Sequence, residues 1–221
     1  MTRRRPILVI FTRTPRLGRG KRRLALDVGP VRALHFQRTT LERLRRRVGR
    51  DRRWTCILAI TPDRDARGPG RMAQGRMAQG RGDLGERMAR VFSRLPPGPV
   101  LLVGGDIPGL DASHVARAFR LLEAHDVVLG PAGDGGFWLV GLRRRPRGPV
   151  APFDSVRWST PHALADTLAN LSRPANRRLS VALADRLDDV DDGEALVTWA
   201  RSGRSPSSPA APPPGRPPGH W

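Results

Sequence analysis

Four stretches carry side chains of types and spacings that could do chemistry. Asp106 follows the short apolar run 100–103 and sits in Gly104-Gly105-Asp106-Ile107-Pro108-Gly109. Glycines there let the backbone approach a ligand, and Pro108 bars continuation of a strand. Asp134 lies in a second glycine-rich turn, Gly130-Pro131-Ala132-Gly133-Asp134-Gly135-Gly136. Asp188, Asp189, Asp191 and Asp192 place four carboxylates among five residues. They repel one another unless something cationic neutralises them, and a divalent ion such as Mg²⁺ or Mn²⁺ prefers such oxygen ligands. On the basic side, the loop 13–24 sets Gly18, Gly20 and Lys21 between a strand and a helical segment, where N–H groups and cations can cradle phosphate. It has neither the GxxxxGK[ST] nor the GxGxxG spacing. Each stretch also has a plainer reading. Asp106 is a turn residue, Asp134 belongs to a hairpin, the acid run is a solvated helix cap, and the basic loop is a flexible turn.

Bringing these groups together requires strands that end at one edge. Residues 6–12, 54–60, 100–103, 126–129 and 137–142 read as strands, with 178–184 a further candidate. Between them, 31–48 carries Val31, Leu34, Leu41, Leu44 and Val48 at the spacing of one helical face. Asp83 and Glu86 form a near capping box, and Asp111 caps a helix over 112–124 with Val115, Phe119 and Leu122 on one face. Ser159-Thr160-Pro161 reads as N-cap and first-turn proline of a helix running to Leu171, and 195–200 as the last helix. Alternating strands and helices predict an α/β fold whose ligands bind beyond the carboxyl ends of its strands. The tandem GRMAQ of 70–79 is too short for a solenoid and reads as a duplication in a mobile surface loop. Residues 1–201 form the expected domain, and the Pro-, Ser- and Gly-rich 202–221 a disordered tail.

Composition narrows the function classes. No apolar run approaches the roughly 18 residues of a membrane span, and the basic N-terminus lacks the long apolar segment and cleavage site of a secretory signal. With one cysteine, Cys56, there is no internal disulfide, which fits a cytoplasmic location; the thiol reads as buried and inert. A net charge of +20 invites a nucleic-acid reading. Nearly all of it is arginine, however, as in a GC-rich coding sequence, and the clusters 43–53 and 143–147 lack interleaved aromatics apart from Trp54 at one edge. They read mainly as solvated faces that attract anionic substrates, with no specific nucleic acid expected. Lys21 is the single lysine, so its compact charge stands out.

The ordered set FTRTPRLGRGKRRL, GDLGERM, LLVGGDIPGLD, DVVLGPAGDGGFWLVGL, WSTP and LDDVDDGEAL resembles the bacterial DUF2064 family, the radical-SAM/selenodomain-associated glycosyltransferases of the GT-A nucleotide-diphospho-sugar transferase superfamily. The resemblance runs from about Ile7 to Leu196. It implies a Rossmann-like three-layer α/β/α sandwich with a mixed, mostly parallel sheet that binds a nucleotide-sugar donor and an unidentified small-molecule or lipid acceptor. Arg13, Gly18, Lys21 and Arg23 would hold the donor's phosphates. Asp106 would bind the metal and act in catalysis, with Asp191 as second ligand to Mg²⁺ or Mn²⁺. Asp134 would orient the acceptor or serve as general base, with Gly135, Gly136, Trp158, Ser159 and Thr160 on the acceptor side. Three positions depart from the family pattern: Pro108 stands where a DxD motif has its second acid, Arg22 replaces a threonine, and Asp192-Gly193-Glu194-Ala195 replaces TPED. Metal-assisted glycosyl transfer is the leading expectation. Nucleotidyl transfer ranks second, because Phe11-Thr12-Arg13-Thr14-Pro15 occupies the place of the glycine-rich loop such enzymes carry. A catalytically silent member and a basic nucleic-acid-binding protein are the remaining alternatives.

Overall fold

The computed structural model describes residues 5–67, 75–144, 152–176 and 178–201. Seven strands form one sheet in the order β3-β2-β1-β4-β6-β5-β7. They are β1 (Ile7–Arg13), β2 (Thr55–Thr61), β3 (Arg76–Ala78), β4 (Gly98–Gly104), β5 (Val127–Pro131), β6 (Phe137–Arg144) and β7 (Val181–Leu183). Every pairing is parallel except those of β6 with β4 and β5. The strands other than β6 therefore share one direction, and the loops that follow β1, β4, β5 and β7 all leave the same edge.

Alternation along the central strands builds two cores. Leu8, Ile10, Leu101 and Val103 face one side, against α2 (Pro30–Val48) and α4 (Ala112–Ala124). Val9, Val100 and Leu102 face the other, against α3 (Leu84–Arg94) and α5 (Ala163–Leu171). Burial on both faces is why these strands read as continuous apolar runs. The result is a three-layer α/β/α sandwich, completed by α1 (Arg22–Val28) and α6 (Gly193–Arg201). Cys56 is buried on β2, and burial pushes its thiol up to about 12, which leaves no thiolate for nucleophilic work.

The helix starts at Asp83 and Asp111 are as expected. Asp83 and Glu86 close a full capping box, and Asp111 accepts from the backbone N–H groups of Ser113 and His114. Other expectations need correction. The second GRMAQ copy is not a surface loop. Residues Arg76–Ala78 pair with β2, and Gln79 is fully buried, donating from Nε2 to the carbonyls of Thr12 and Ala59. Burial of this amide is tolerated because both of its donors find partners. The first copy and residues 202–221 lie outside the described residues, as do 145–147 of the second arginine cluster. Val31 is 69% exposed: α2 packs chiefly on α1, and Phe36 of its first half meets Trp199 of α6 edge-on rather than the sheet. The helix expected from Pro161 starts at Ala163, because Thr160 Oγ1 donates to the Arg157 carbonyl and accepts from His162 N–H in a preceding turn. Trp54 is buried, with its indole N–H on the Val48 carbonyl, so it cannot stack on a base.

Candidate active site

The sheet order turns around between β1 and β4, whose outgoing loops diverge and open a crevice at the carboxyl edge. The loop after β1 is held at its start by a bond from Thr14 N–H to the Thr61 carbonyl and at its side by the Arg16–Asp65 ion pair. Gly18 (φ 71°), Gly20 (φ 81°) and Lys21 (φ 42°) all adopt left-handed backbone, which winds the loop tightly enough for Lys21 to enter α1 with its side chain turned inward. For a lysine that conformation costs about 1–2 kcal/mol, so something must hold it. On the β4 side, Gly105 comes so close to β1 that an added Cβ would lie 2.6 Å from Thr12 Oγ1. Buried Ile107 and Leu110 anchor the rest of that loop and leave Asp106 at the crevice mouth.

What holds Lys21 is a set of acids. Its Nζ lies 2.9 Å from Asp106 Oδ2, 2.6 Å from Asp191 Oδ1 and 3.8 Å from Asp189 Oδ2, and its side chain is only 4% exposed. Arg23 adds a 3.0 Å contact to Asp191. Burial alone would pull the Lys21 pKa down, but the charges of Asp106 and Asp191 and their hydrogen bonds outweigh it and raise it. Burial likewise works to raise Asp191, and Lys21 overcomes it, so that carboxyl is held below the ordinary range. Asp189 goes the other way: burial, then repulsion from Asp191, pushes it up to about 6.

The acid run sorts its four aspartates by the apolar residues among them. Leu187 and Val190 are buried and pin the segment. Asp189 and Asp191 then reach Lys21, Asp188 stays exposed beside Arg186, and Asp192 accepts from Ala195 N–H as a cap for α6. The plain helix-cap reading holds for Asp192 and fails for Asp189 and Asp191. Asp189 is the site residue that the sequence reading left unassigned; its signal was the spacing of Leu187 and Val190.

The expected acceptor-side residues are more dispersed. Asp134 Oδ1 accepts from Gly136 N–H and shapes its own turn, and its charge also acts on Asp189. The turn is stitched to the acid run, since Leu187 N–H donates to the Pro131 carbonyl and Trp138 Nε1 to that of Asp185. Gly135 (φ 82°) packs so closely on Pro161 that an added Cβ would lie 2.2 Å from its carbonyl oxygen. Trp158 is half-buried against Phe137 and Phe153 in the core on the far side of the sheet. Ser159 is exposed with φ 60°, and Thr160 serves the turn described above.

A cleft of about 200 Å³ lies in the crevice, lined among others by Thr12, Arg13, Arg19, Lys21, Gly105 and Asp106. Arg13 and Lys21 of the expected phosphate set border it; Gly18 shapes the loop and Arg23 pairs with Asp191. Fit to a divalent ion can be judged from the donors. Asp106, Asp189 and Asp191 can each offer an oxygen such that all lie within 4.8 Å of one another, and the Lys21 ammonium already occupies that place as a stand-in cation. All-oxygen anionic donors suit Mg²⁺ or Mn²⁺, so the residues fit the ion.

The fold is that of a GT-A-type domain of the nucleotide-diphospho-sugar transferase superfamily. The chain belongs to DUF2064, described as an uncharacterized protein conserved in bacteria, whose pattern matches residues 42–160. Among solved structures it is similar to a candidate nucleotide-diphospho-sugar transferase from Desulfovibrio desulfuricans G20, with 26% identity over 90% of this chain and 87% of that one and a TM-score of 0.79. Rv0371c from Mycobacterium tuberculosis H37Rv shares the fold at 17% identity, 90% and 100% coverage and TM-score 0.54. So does 4-diphosphocytidyl-2C-methyl-D-erythritol synthase from Anaerococcus prevotii DSM 20548, at 10% identity, 91% and 97% coverage and TM-score 0.54. No curated protein matches the chain in sequence. Among the described residues no helix is long and apolar enough to cross a membrane.

Proposed function

We propose that this chain is a glycosyltransferase that moves a sugar from a nucleotide-diphosphate donor to a small-molecule or lipid acceptor with the help of a divalent ion. The observation that carries this reading is the meeting of Lys21 with Asp106, Asp189 and Asp191 beside a cleft lined by Arg13 and Arg19. Anionic ligands for a metal and cations for phosphate stand side by side there, as a diphosphate leaving group requires. A bound Mg²⁺ or Mn²⁺ would supply Lewis-acid stabilisation of the charge that develops on the leaving diphosphate. Asp106, Asp189 and Asp191 would hold it, Arg13, Arg19 and Lys21 would bind the diphosphate oxygens, and Gly105 would let the donor come close to the backbone of β4. Asp134, at the rim, would orient the acceptor hydroxyl or take its proton.

Nucleotidyl transfer is the second reading, supported by the fold shared with the 4-diphosphocytidyl-2C-methyl-D-erythritol synthase. The extended Arg13-Thr14-Pro15 segment after β1 weighs against it, since a triphosphate cradle there would need a run of free backbone N–H groups, and Thr14 N–H is already spent on Thr61. Thermal-shift screening separates the two. UDP- or GDP-sugars should raise the melting temperature in the presence of Mn²⁺, and Asp106→Ala should remove both that shift and donor hydrolysis. Stabilisation by nucleoside triphosphates alone, with pyrophosphate release, would transfer the assignment to nucleotidyl transfer. Unchanged donor binding and hydrolysis in Asp106→Ala would refute the site itself.

A further inference from the structure

Lys21 is the one lysine among 40 lysines and arginines, and among the described residues it sits in the acid cluster that could hold a metal ion. Its Nζ makes two contacts under 3 Å with oxygens of the same acids that would ligate the ion. An ion coordinated at about 2.0–2.2 Å by carboxylates of that triangle would face the ammonium at a few ångströms. At such a distance a doubly and a singly charged cation repel strongly, since the interaction grows with the product of the charges and falls only with their separation. The ion and the ammonium therefore compete for the same oxygens of Asp106 and Asp191.

Resting on the proposed function above, we propose that Lys21 is a resident cation which the divalent ion displaces, and that the displaced ammonium turns into the adjoining cleft to bind the donor's diphosphate. Lys21 already borders that cleft, with Arg13, Arg19 and Gly20, so the space its side chain would turn into lies directly beside it. The residue type fits this task. An ammonium is a point charge on a flexible stem and releases carboxylates readily, whereas the planar fork of an arginine locks onto them. Metal loading thereby completes the phosphate site, and donor and metal bind with positive coupling.

The single lysine makes the test direct. Full-length wild-type protein is pulsed with acetic anhydride at increasing Mn²⁺, and acetylation of Lys21 is read by mass spectrometry with the N-terminal amine as internal reference. Mn²⁺ binding is followed in parallel by electron paramagnetic resonance. Lys21 acetylation should rise about tenfold or more, with the same midpoint as Mn²⁺ binding, and Lys21→Gln should bind Mn²⁺ about tenfold more tightly than wild type. Stoichiometric Mn²⁺ binding with unchanged or reduced Lys21 reactivity overturns the displacement and leaves the transferase reading standing. Equal or weaker Mn²⁺ binding by a folded Lys21→Gln overturns it as well. Failure of both proteins to bind Mn²⁺ overturns it together with the metal assignment.

Discussion

Lys21 Nζ lies 2.6 Å from Asp191 Oδ1 although 170 residues separate the two in the chain. The contact joins the loop after β1 to the segment after β7, and Asp106 from the loop after β4 closes the group. Neighbouring Asp192 does something different: its side chain caps α6.

That contrast gives a paired test. On the proposed function, Asp191→Ala should lower donor turnover by about 10²-fold or more, since it removes a carboxylate that would hold the ion at the leaving diphosphate. Asp192→Ala should cost about 1 kcal/mol of stability through the lost cap and leave turnover nearly unchanged. Donor hydrolysis and urea unfolding on both variants measure the two effects; equal loss of turnover would contradict the sorting of the acids.

Asp189 sets a pH dependence. Its carboxyl stands at about 6 in the folded protein, against about 3.9 in an unfolded chain. The folded state therefore binds this proton more tightly, and the stability it confers is present below the unfolded value and lost as pH rises through about 6. Asp189→Asn should raise the melting temperature at pH 7.5 in metal-free buffer, and the gain should shrink as the pH is taken toward 4. The same variant should bind Mn²⁺ more weakly, which calorimetry would record.

Two glycines with similar backbone angles should respond differently to alanine. Gly18 (φ 71°) has open space where a Cβ would go, so Gly18→Ala should cost about 1–2 kcal/mol from the backbone alone. Gly135 (φ 82°) faces the Pro161 backbone at 2.2–2.7 Å, so Gly135→Ala should cost clearly more and loosen the start of α5. Chemical denaturation of both variants gives the comparison.

Gln79 ties β1 to β2 at the cleft, donating to the Thr12 and Ala59 carbonyls and accepting from Arg87. Gln79→Leu keeps the volume but strands those partners, and should cost roughly 2–3 kcal/mol. Hydrogen exchange at the carboxyl end of β1 should speed up with it.

Local chemistry was legible without the fold. The caps at Asp83 and Asp111 are hydrogen bonds across two or three residues, so sequence spacing suffices to write them. The apolar runs of β1, β2 and β4 follow from burial on both faces, and the glycine-acid turns at 104–106 and 133–136 follow from where such strands stop. The family pattern then placed the loops in order around one sheet edge. Other features depend on what a distant segment presents. The second GRMAQ copy became an edge strand because β2 offered unpaired backbone groups and Gln79 found two carbonyls. Pro161 does not open α5, for a more local reason: Thr160 Oγ1, bonded to the Arg157 carbonyl and the His162 N–H, holds a separate turn there. Which two of the four aspartates face the site was decided by the burial of Leu187 and Val190, and only the folded chain put Lys21 among them. A lysine, a glycine loop and an acid run are written in the sequence. Their meeting at one point is a product of strand order, because Coulomb attraction over a few ångströms acts only after packing has brought the three loops to the same edge.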